Sequence, residues 1–291
     1  MTELTISTVD ANGLTFGLLE IGDGPLALCL HGFPDSAWGW RHLLPELADA
    51  GYRAVAPFMR GYAPTSVPAD GRYQSAALAL DAIEIHDALG GDERAVIIGH
   101  DWGAMATYGA ANSAPERWSK VVAAAVPPAG AMGSGFLQYD QLRRSWYMFF
   151  FQSPMAELVV PMNDLEFIDR LWEDWSPGHD ASDDLPRVKA CLADPANLSA
   201  ALGYYRATLG DGYKDPTLDG LQTAAGAPTA QPTLYLHGRS DGCVGVELAE
   251  GAGAFLTHPD SRVEIFDGLG HFLHLEQPAA VNESIVEFLR G

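Results

Sequence analysis

The chain has 291 residues, 47% of them hydrophobic, with 17 Lys and Arg against 38 Asp and Glu, a formal net charge of −21. That length can bury a large core, as one domain with an insertion or as two modest domains. So acidic a surface repels phosphate backbones and anionic lipid, which argues against a nucleic-acid or membrane-surface partner. No apolar run is long enough to span a bilayer, and the opening Met-Thr-Glu-Leu-Thr-Ile-Ser lacks the basic and apolar regions of a signal peptide. Cys29, Cys191 and Cys243 are odd in number and far apart, as expected of free thiols in a reducing cytoplasm, and no Cys/His cluster has zinc spacing.

In chain order, strands are predicted over 4–9 and 14–21, joined by an Asn12-Gly13 turn. An apolar strand over 26–30 follows and ends at His31-Gly32. Next come a helix near 40–50, a strand over 52–58 and a helix over 74–89 stopped by Gly90-Gly91. A β-branched run over 94–98 leads into a small-residue helix over 102–112, and a strand over 121–126 ends at Pro127-Pro128. Residues 130–222 are rich in Trp, Tyr, Phe and Met in helical patterns, with no clear parallel strand. Residues 223–231 read as a linker. Alternation resumes with a strand over 233–236, a helix near 246–255 and a strand over 262–266. A terminal helix from Pro278 places Val281, Ile285, Phe288 and Leu289 on one face. The alternation predicts an α/β fold with a mostly parallel central sheet flanked by helices. Its core is expected over 1–129 and 223–291, with a helical cap over 130–222.

Gly99-His100-Asp101-Trp102-Gly103 has the spacing of a nucleophile elbow, Gly-x-nucleophile-x-Gly, with Asp in the central slot. A strand that turns at once into a helix strains that residue's backbone and thrusts its side chain into a cavity at the helix N-terminus, where the dipole favours an anion. A carboxylate there suits attack on saturated carbon, giving an ester that water can hydrolyse; a serine would form an ether with no carbonyl to attack.

That chemistry needs a base, an acid to orient it and an oxyanion site. His271, in Gly268-Leu269-Gly270-His271-Phe272, is the candidate base. Asp241, directly after a strand end, is the candidate acid; the strand ending Val126-Pro127-Pro128 carries no carboxylate to compete with it. The order nucleophile, acid, histidine is that of α/β-hydrolase triads. The N–H groups of Phe33 and Trp102 are the candidate oxyanion donors, and Phe33–Pro34 is a candidate cis peptide. His31 and His237, each ending a strand before Gly, read as structural.

His31-Gly32-Phe33-Pro34, Arg60-Gly61-Tyr62, the Asp elbow and Gly270-His271 together resemble the epoxide hydrolases of the α/β-hydrolase superfamily, over nearly the whole chain. The resemblance implies two cap tyrosines that donate protons to the opening epoxide oxygen. Tyr147 matches one by its place before Phe151-Gln152-Ser153-Pro154, and Tyr205 the other, with Tyr204 as its rival. A tyrosine suits the task because it stays protonated at neutral pH. Haloalkane and haloacid dehalogenases share the Asp elbow and are the alternative. Many carry Asn where this chain has Phe33; others use a cap Trp, for which Trp146, Trp172 and Trp175 are available. A non-catalytic ligand-binding homologue is the remaining reading. The expected pocket includes Phe33, Trp102, Trp146 and Phe150. The expected substrate is a small apolar epoxide with water, with no metal or organic cofactor; a homodimer is compatible with the sequence.

Overall fold

The computed structural model describes residues 4–291. Eight strands form one sheet: β1 (Thr5–Ala11), β2 (Leu14–Ile21), β3 (Leu26–Leu30), β4 (Arg53–Pro57), β5 (Val96–His100), β6 (Lys120–Ala124), β7 (Thr233–Gly238) and β8 (Arg262–Phe266). Their order across the sheet is β1-β2-β4-β3-β5-β6-β7-β8. The β1–β2 and β2–β4 pairs are antiparallel, and every other pair is parallel. Asn12 and Gly13 both have positive φ, 46° and 74°, as a two-residue turn of right-handed twist requires.

The central strands are buried along their whole length, with helices on both faces, which is why β3 and β5 read as continuous apolar runs. Helix Trp102–Ser113 can lie close to helix Ser75–Ala88 because its inner positions are small: a Cβ on Gly109 would stand 2.7 Å from the Ala79 Cβ. The terminal helix Pro278–Arg290 buries Val281, Ile285, Phe288 and Leu289, as its periodicity predicts.

Several boundaries differ from expectation. The elbow strand is Val96–His100 rather than 94–98, because Arg94 is engaged in a turn with Asp92, while Gly99 and His100 stay in register with Ala123 and Ala124. The helix expected near 246–255 stops at Glu250; Gly251 caps it, and a 3-10 turn covers Ala252–Phe255. Between β6 and β7 the chain is helical from Ala129 to Ala224 among the elements assigned. The last of these helices, Asp219–Ala224, packs against the core helices Ser75–Ala88 and Trp102–Ser113.

Helix Met162–Trp175 of this insertion reaches the strand ends directly. The Trp172 indole N–H donates to the Pro34 carbonyl at 2.8 Å. The Trp175 carbonyl accepts from the backbone N–H groups of both His271 (3.0 Å) and Gly242 (3.1 Å), joining the loops that follow β8 and β7.

Candidate active site

Sheet order brings the site together. β3 and β5 are parallel neighbours with Leu30 beside Gly99, so the turn after β3 lies next to the elbow. β7 and β8 are neighbours with Gly238 beside Phe266, so the loops carrying Asp241 and His271 emerge side by side. Carboxyl-end crevices of this kind are where parallel α/β sheets bind ligands.

Asp101 has φ 52° and ψ −118°, a conformation L-residues adopt only when the surroundings enforce it. Two glycines make it feasible. A Cβ on Gly103 would overlap the Leu30 carbonyl, and one on Gly32 would overlap the Asp101 carboxylate. The Phe33 N–H donates to Asp101 Oδ1 at 2.7 Å, and the Trp102 N–H also supports the carboxylate. The Phe33–Pro34 bond is cis.

The other oxygen, Asp101 Oδ2, stands 3.9 Å from His271 Nε2, which has no hydrogen-bond partner among the described residues. His271 Nδ1 is 2.9 Å from Asp241 Oδ2. Asp241 Oδ1 accepts the N–H groups of Cys243 (2.7 Å) and Val244 (2.9 Å), which aims its second oxygen at the imidazole. The loop that carries His271 is pinned as well. Ser176 Oγ accepts from the Phe272 N–H, Glu276 accepts from the Gly270 N–H, and the His100 imidazole is 2.8 Å from the His271 carbonyl.

Burial pushes the Asp101 carboxyl up from its ordinary 3.8 to about 6, against His271 and the Phe33 and Trp102 N–H groups, with Asp241 adding to the rise. For His271, burial works against the imidazolium, but the charge and hydrogen bond of Asp241, together with Asp101, outweigh it and hold the group above its ordinary 6.5. A buried Asp101 carboxylate therefore destabilises the fold at neutral pH. A rise from 3.8 to about 6 corresponds to about 3 kcal/mol. The cost is present in full above the folded value and absent below the unfolded one. Asp101→Asn should accordingly unfold at a higher temperature than the parent at pH 8, with the advantage vanishing below about pH 4. Thermal unfolding at the two pH values checks this; a less stable variant at pH 8 would mean that the bonds to the carboxylate outweigh its burial.

A largely apolar cavity of about 410 Å³ opens beside Asp101, lined by Trp102, Met105, Met132, Phe136, Tyr147, Tyr205, Leu209, Cys243 and Val244 among others. Tyr147 lies on helix Trp146–Phe150 and Tyr205 on helix Pro195–Leu209, their rings 5.5 Å apart at 83°. The Tyr147 hydroxyl is 3.3 Å from Cys243 Sγ. The Tyr205 hydroxyl has no well-formed hydrogen bond among the described residues, and the Trp102 and Tyr147 side chains lie close to it. Burial pushes both hydroxyls well above the ordinary 10, so both carry their protons at any physiological pH. Tyr204 points elsewhere: its hydroxyl donates to the Arg60 carbonyl at 2.7 Å.

Of the four expected pocket residues, Trp102 lines this cavity, whereas Phe33, Trp146 and Phe150 lie outside its lining. Trp146 is 46% exposed and packs on Phe150 and Phe167, and Phe150 stacks on Phe167. Tyr147 and Met148 face the cavity, while Trp146 and Phe150, one turn apart from each other, share another face of the helix, turned towards Phe167. The Phe33 ring supports Tyr205 and Phe151 edge-on, while its N–H reaches Asp101. His31 and His237 each hydrogen-bond through both ring nitrogens to groups of the core. Sequence reading missed Cys243. The available signal was its place two residues after Asp241, in the loop whose N–H groups cap that carboxylate.

Residues 25–278 match the family model described as the alpha/beta hydrolase fold. The chain is 31% identical to the AB hydrolase superfamily protein YfhM of Bacillus subtilis, over 97% of each protein. It is also 31% identical to epoxide hydrolase A of Mycobacterium tuberculosis, over 97% of this chain and 96% of that one. The crystal structure of epoxide hydrolase A from Mycobacterium thermoresistibile superposes with a TM-score of 0.83 at 28% identity, covering 99% of both chains. With its eight-stranded sheet, its Asp elbow and these relatives, the chain belongs to the α/β-hydrolase fold family.

Proposed function

We propose that the protein is an epoxide hydrolase that opens a small apolar epoxide to a vicinal diol. Its relatives named epoxide hydrolases support the reaction, and one structural observation carries it: two buried tyrosines, Tyr147 and Tyr205, line the same cavity as Asp101. A leaving oxygen needs proton donors, whereas a halide needs indole or amide N–H groups. Of the cap tryptophans that would serve a dehalogenase, Trp172 donates its N–H to Pro34, and Trp146 and Trp175 are not in the cavity lining; Trp102, which is, fits either reaction.

In the first half-reaction Asp101 Oδ2 attacks an epoxide carbon. The O–C bond forms as the ring C–O bond breaks, and a proton passes from one tyrosine to the departing oxygen. The product is an ester on Asp101, its carbonyl oxygen, Oδ1, held by the Phe33 and Trp102 N–H groups. In the second, His271 Nε2 takes a proton from water and hydroxide adds to the Asp101 carboxyl carbon. Asp241 stabilises the imidazolium. Each N–H in such a hole is typically worth ~10²–10³ in rate. Collapse expels the diol oxygen, which takes the proton from His271; the carboxylic proton returns by way of solvent to the tyrosinate.

Single turnover in heavy-oxygen water tests the scheme. The label should enter the Asp101 carboxylate and appear in the diol only on later turnovers. Labelled first-turnover diol with an unlabelled carboxylate would mean direct attack of water on the epoxide. The three cysteines are buried and unpaired, which supports a cytoplasmic setting. Among the described residues no helix is long and apolar enough to cross a membrane.

A further inference from the structure

Three groups of different chemistry converge beside the nucleophile. An Asp101 carboxylate oxygen, the Cys243 sulfur and a His271 ring nitrogen lie within 4.8 Å of one another, all on buried residues. His271 Nδ1 is committed to Asp241, so the nitrogen that remains is Nε2, fully buried, unpartnered among the described residues and 3.9 Å from Asp101 Oδ2. Cys243 arrives there because its own N–H caps Asp241, which fixes the loop so that the sulfur faces the cavity and the Tyr147 hydroxyl.

Carboxylate, thiolate and imidazole are the ligand types of zinc, and three protein ligands leave a fourth position open. Metal–ligand bonds of about 2.0–2.3 Å place the donors of one tetrahedral ion about 3.3–3.7 Å apart. The three donors, none more than 4.8 Å from another, need to close by at most about 1.5 Å. One carboxylate and one thiolate neutralise a divalent cation, while Asp241 keeps its charge on the far side of the imidazole, as the outer partner of the His271 ligand. We infer that Asp101, Cys243 and His271 form a binding site for a thiophilic divalent cation such as Zn²⁺, and that its occupancy reversibly shuts the enzyme. The ion occupies the nucleophile's oxygen and the base's nitrogen together, and it takes the sulfur from Tyr147. A hard cation such as Mg²⁺, which prefers oxygen ligands, should not compete.

The metal site stands independently of the reaction; only its inhibitory consequence rests on the epoxide reading. Co²⁺, which shares zinc's tetrahedral preference, is the probe. Titrating the full-length, reduced, metal-stripped chain should give a thiolate-to-cobalt charge-transfer band in the near ultraviolet at one Co²⁺ per chain, abolished by Zn²⁺. Cys243→Ala should lose the band, and Asp101→Asn should keep it with weaker binding. Loss of even an outer partner of a metal costs ~10–100-fold in affinity, so loss of the sulfur should cost at least ~10²-fold. In turnover assays, Zn²⁺ should inhibit and a chelator restore the rate. Cys243→Ala, compared with its own metal-free rate, should need at least ~10²-fold more Zn²⁺ for half-inhibition. No band in the parent chain, or an unchanged band in Cys243→Ala, which would put the thiolate at Cys29 or Cys191, overturns the site. A band with the expected behaviour in a protein that opens no epoxide would leave the metal site standing and remove the proposed reaction.

Discussion

Replacing His271 by Gln should yield a protein that forms the ester on Asp101 and cannot clear it. In the proposed scheme attack on the epoxide uses Asp101 and the tyrosines, and water activation uses His271 Nε2, 3.9 Å from the carboxylate. Gln retains hydrogen-bonding bulk but has no basic nitrogen. Loss of a positioned general base removes typically ~10²–10⁴ in rate, and here the loss falls on the second half-reaction alone. Diol release should fall by that factor, while intact mass rises by the mass of one epoxide in stoichiometric amount, on the peptide that contains Asp101. The pH of the experiment matters. His271 pulls the Asp101 carboxyl down towards ionisation, against its burial. Without it the carboxyl should sit above about 6, so trapping should be efficient at pH 8 and fail as the medium is acidified. The parent enzyme should also lose activity with acid, for two reasons of the same sign: Asp101 must be ionised to attack, and His271, held above its ordinary value, must be neutral to accept a proton. A His271→Gln enzyme that releases diol at the parental rate and carries no adduct would remove His271 from the mechanism.

Tyr147→Phe combined with Tyr205→Phe should abolish epoxide opening while leaving the fold intact. Both rings are buried and packed on aromatic neighbours, and Phe keeps those contacts. The hydroxyls are the only atoms removed. Among the described residues the Tyr205 hydroxyl lacks a well-formed bond, and the Tyr147 hydroxyl meets the Cys243 sulfur at 3.3 Å. Neither loss therefore strands a strongly bound partner. Acid assistance of this type is worth typically ~10²–10⁴-fold. Because both tyrosines address one leaving oxygen, the single variants should each cost less than their share of the double. The adduct separates this variant from His271→Gln: with the leaving oxygen unassisted, no ester should accumulate. Tyr204→Phe is the control, since that hydroxyl is spent on the Arg60 carbonyl. Parental turnover by the double variant would transfer proton donation elsewhere.

Residues 94–103 carried most of what could be read in advance. An apolar β-branched run, a Gly-x-Asp-x-Gly turn and a small-residue helix are local properties, each enforced within a few residues by backbone sterics, and the structure has a strand, a strained Asp101 and a helix there. The same holds for the Asn12-Gly13 hairpin and for the apolar face of the terminal helix. Tyr204 against Tyr205 is different. Adjacent on one helix, they differ by about 100° of rotation, and only the packing of that helix against Arg60 on one side and the cavity on the other separates a hydroxyl bonded to the Arg60 carbonyl from one in the cavity shared with Asp101.

Chain order alone determined the parallel α/β architecture, the aspartate at the elbow and the succession Asp101, Asp241, His271, because strand and helix periodicity and turn chemistry are short-range. Only the tertiary structure decided which side chains share a space. Trp146 and Phe150, read as pocket residues, pack outward on Phe167. Cys243, which had no zinc spacing to any histidine in the sequence, stands beside Asp101 and His271. Its neighbours come from the ends of β5 and β8, and the distance between strand ends is set by sheet order, not by separation along the chain.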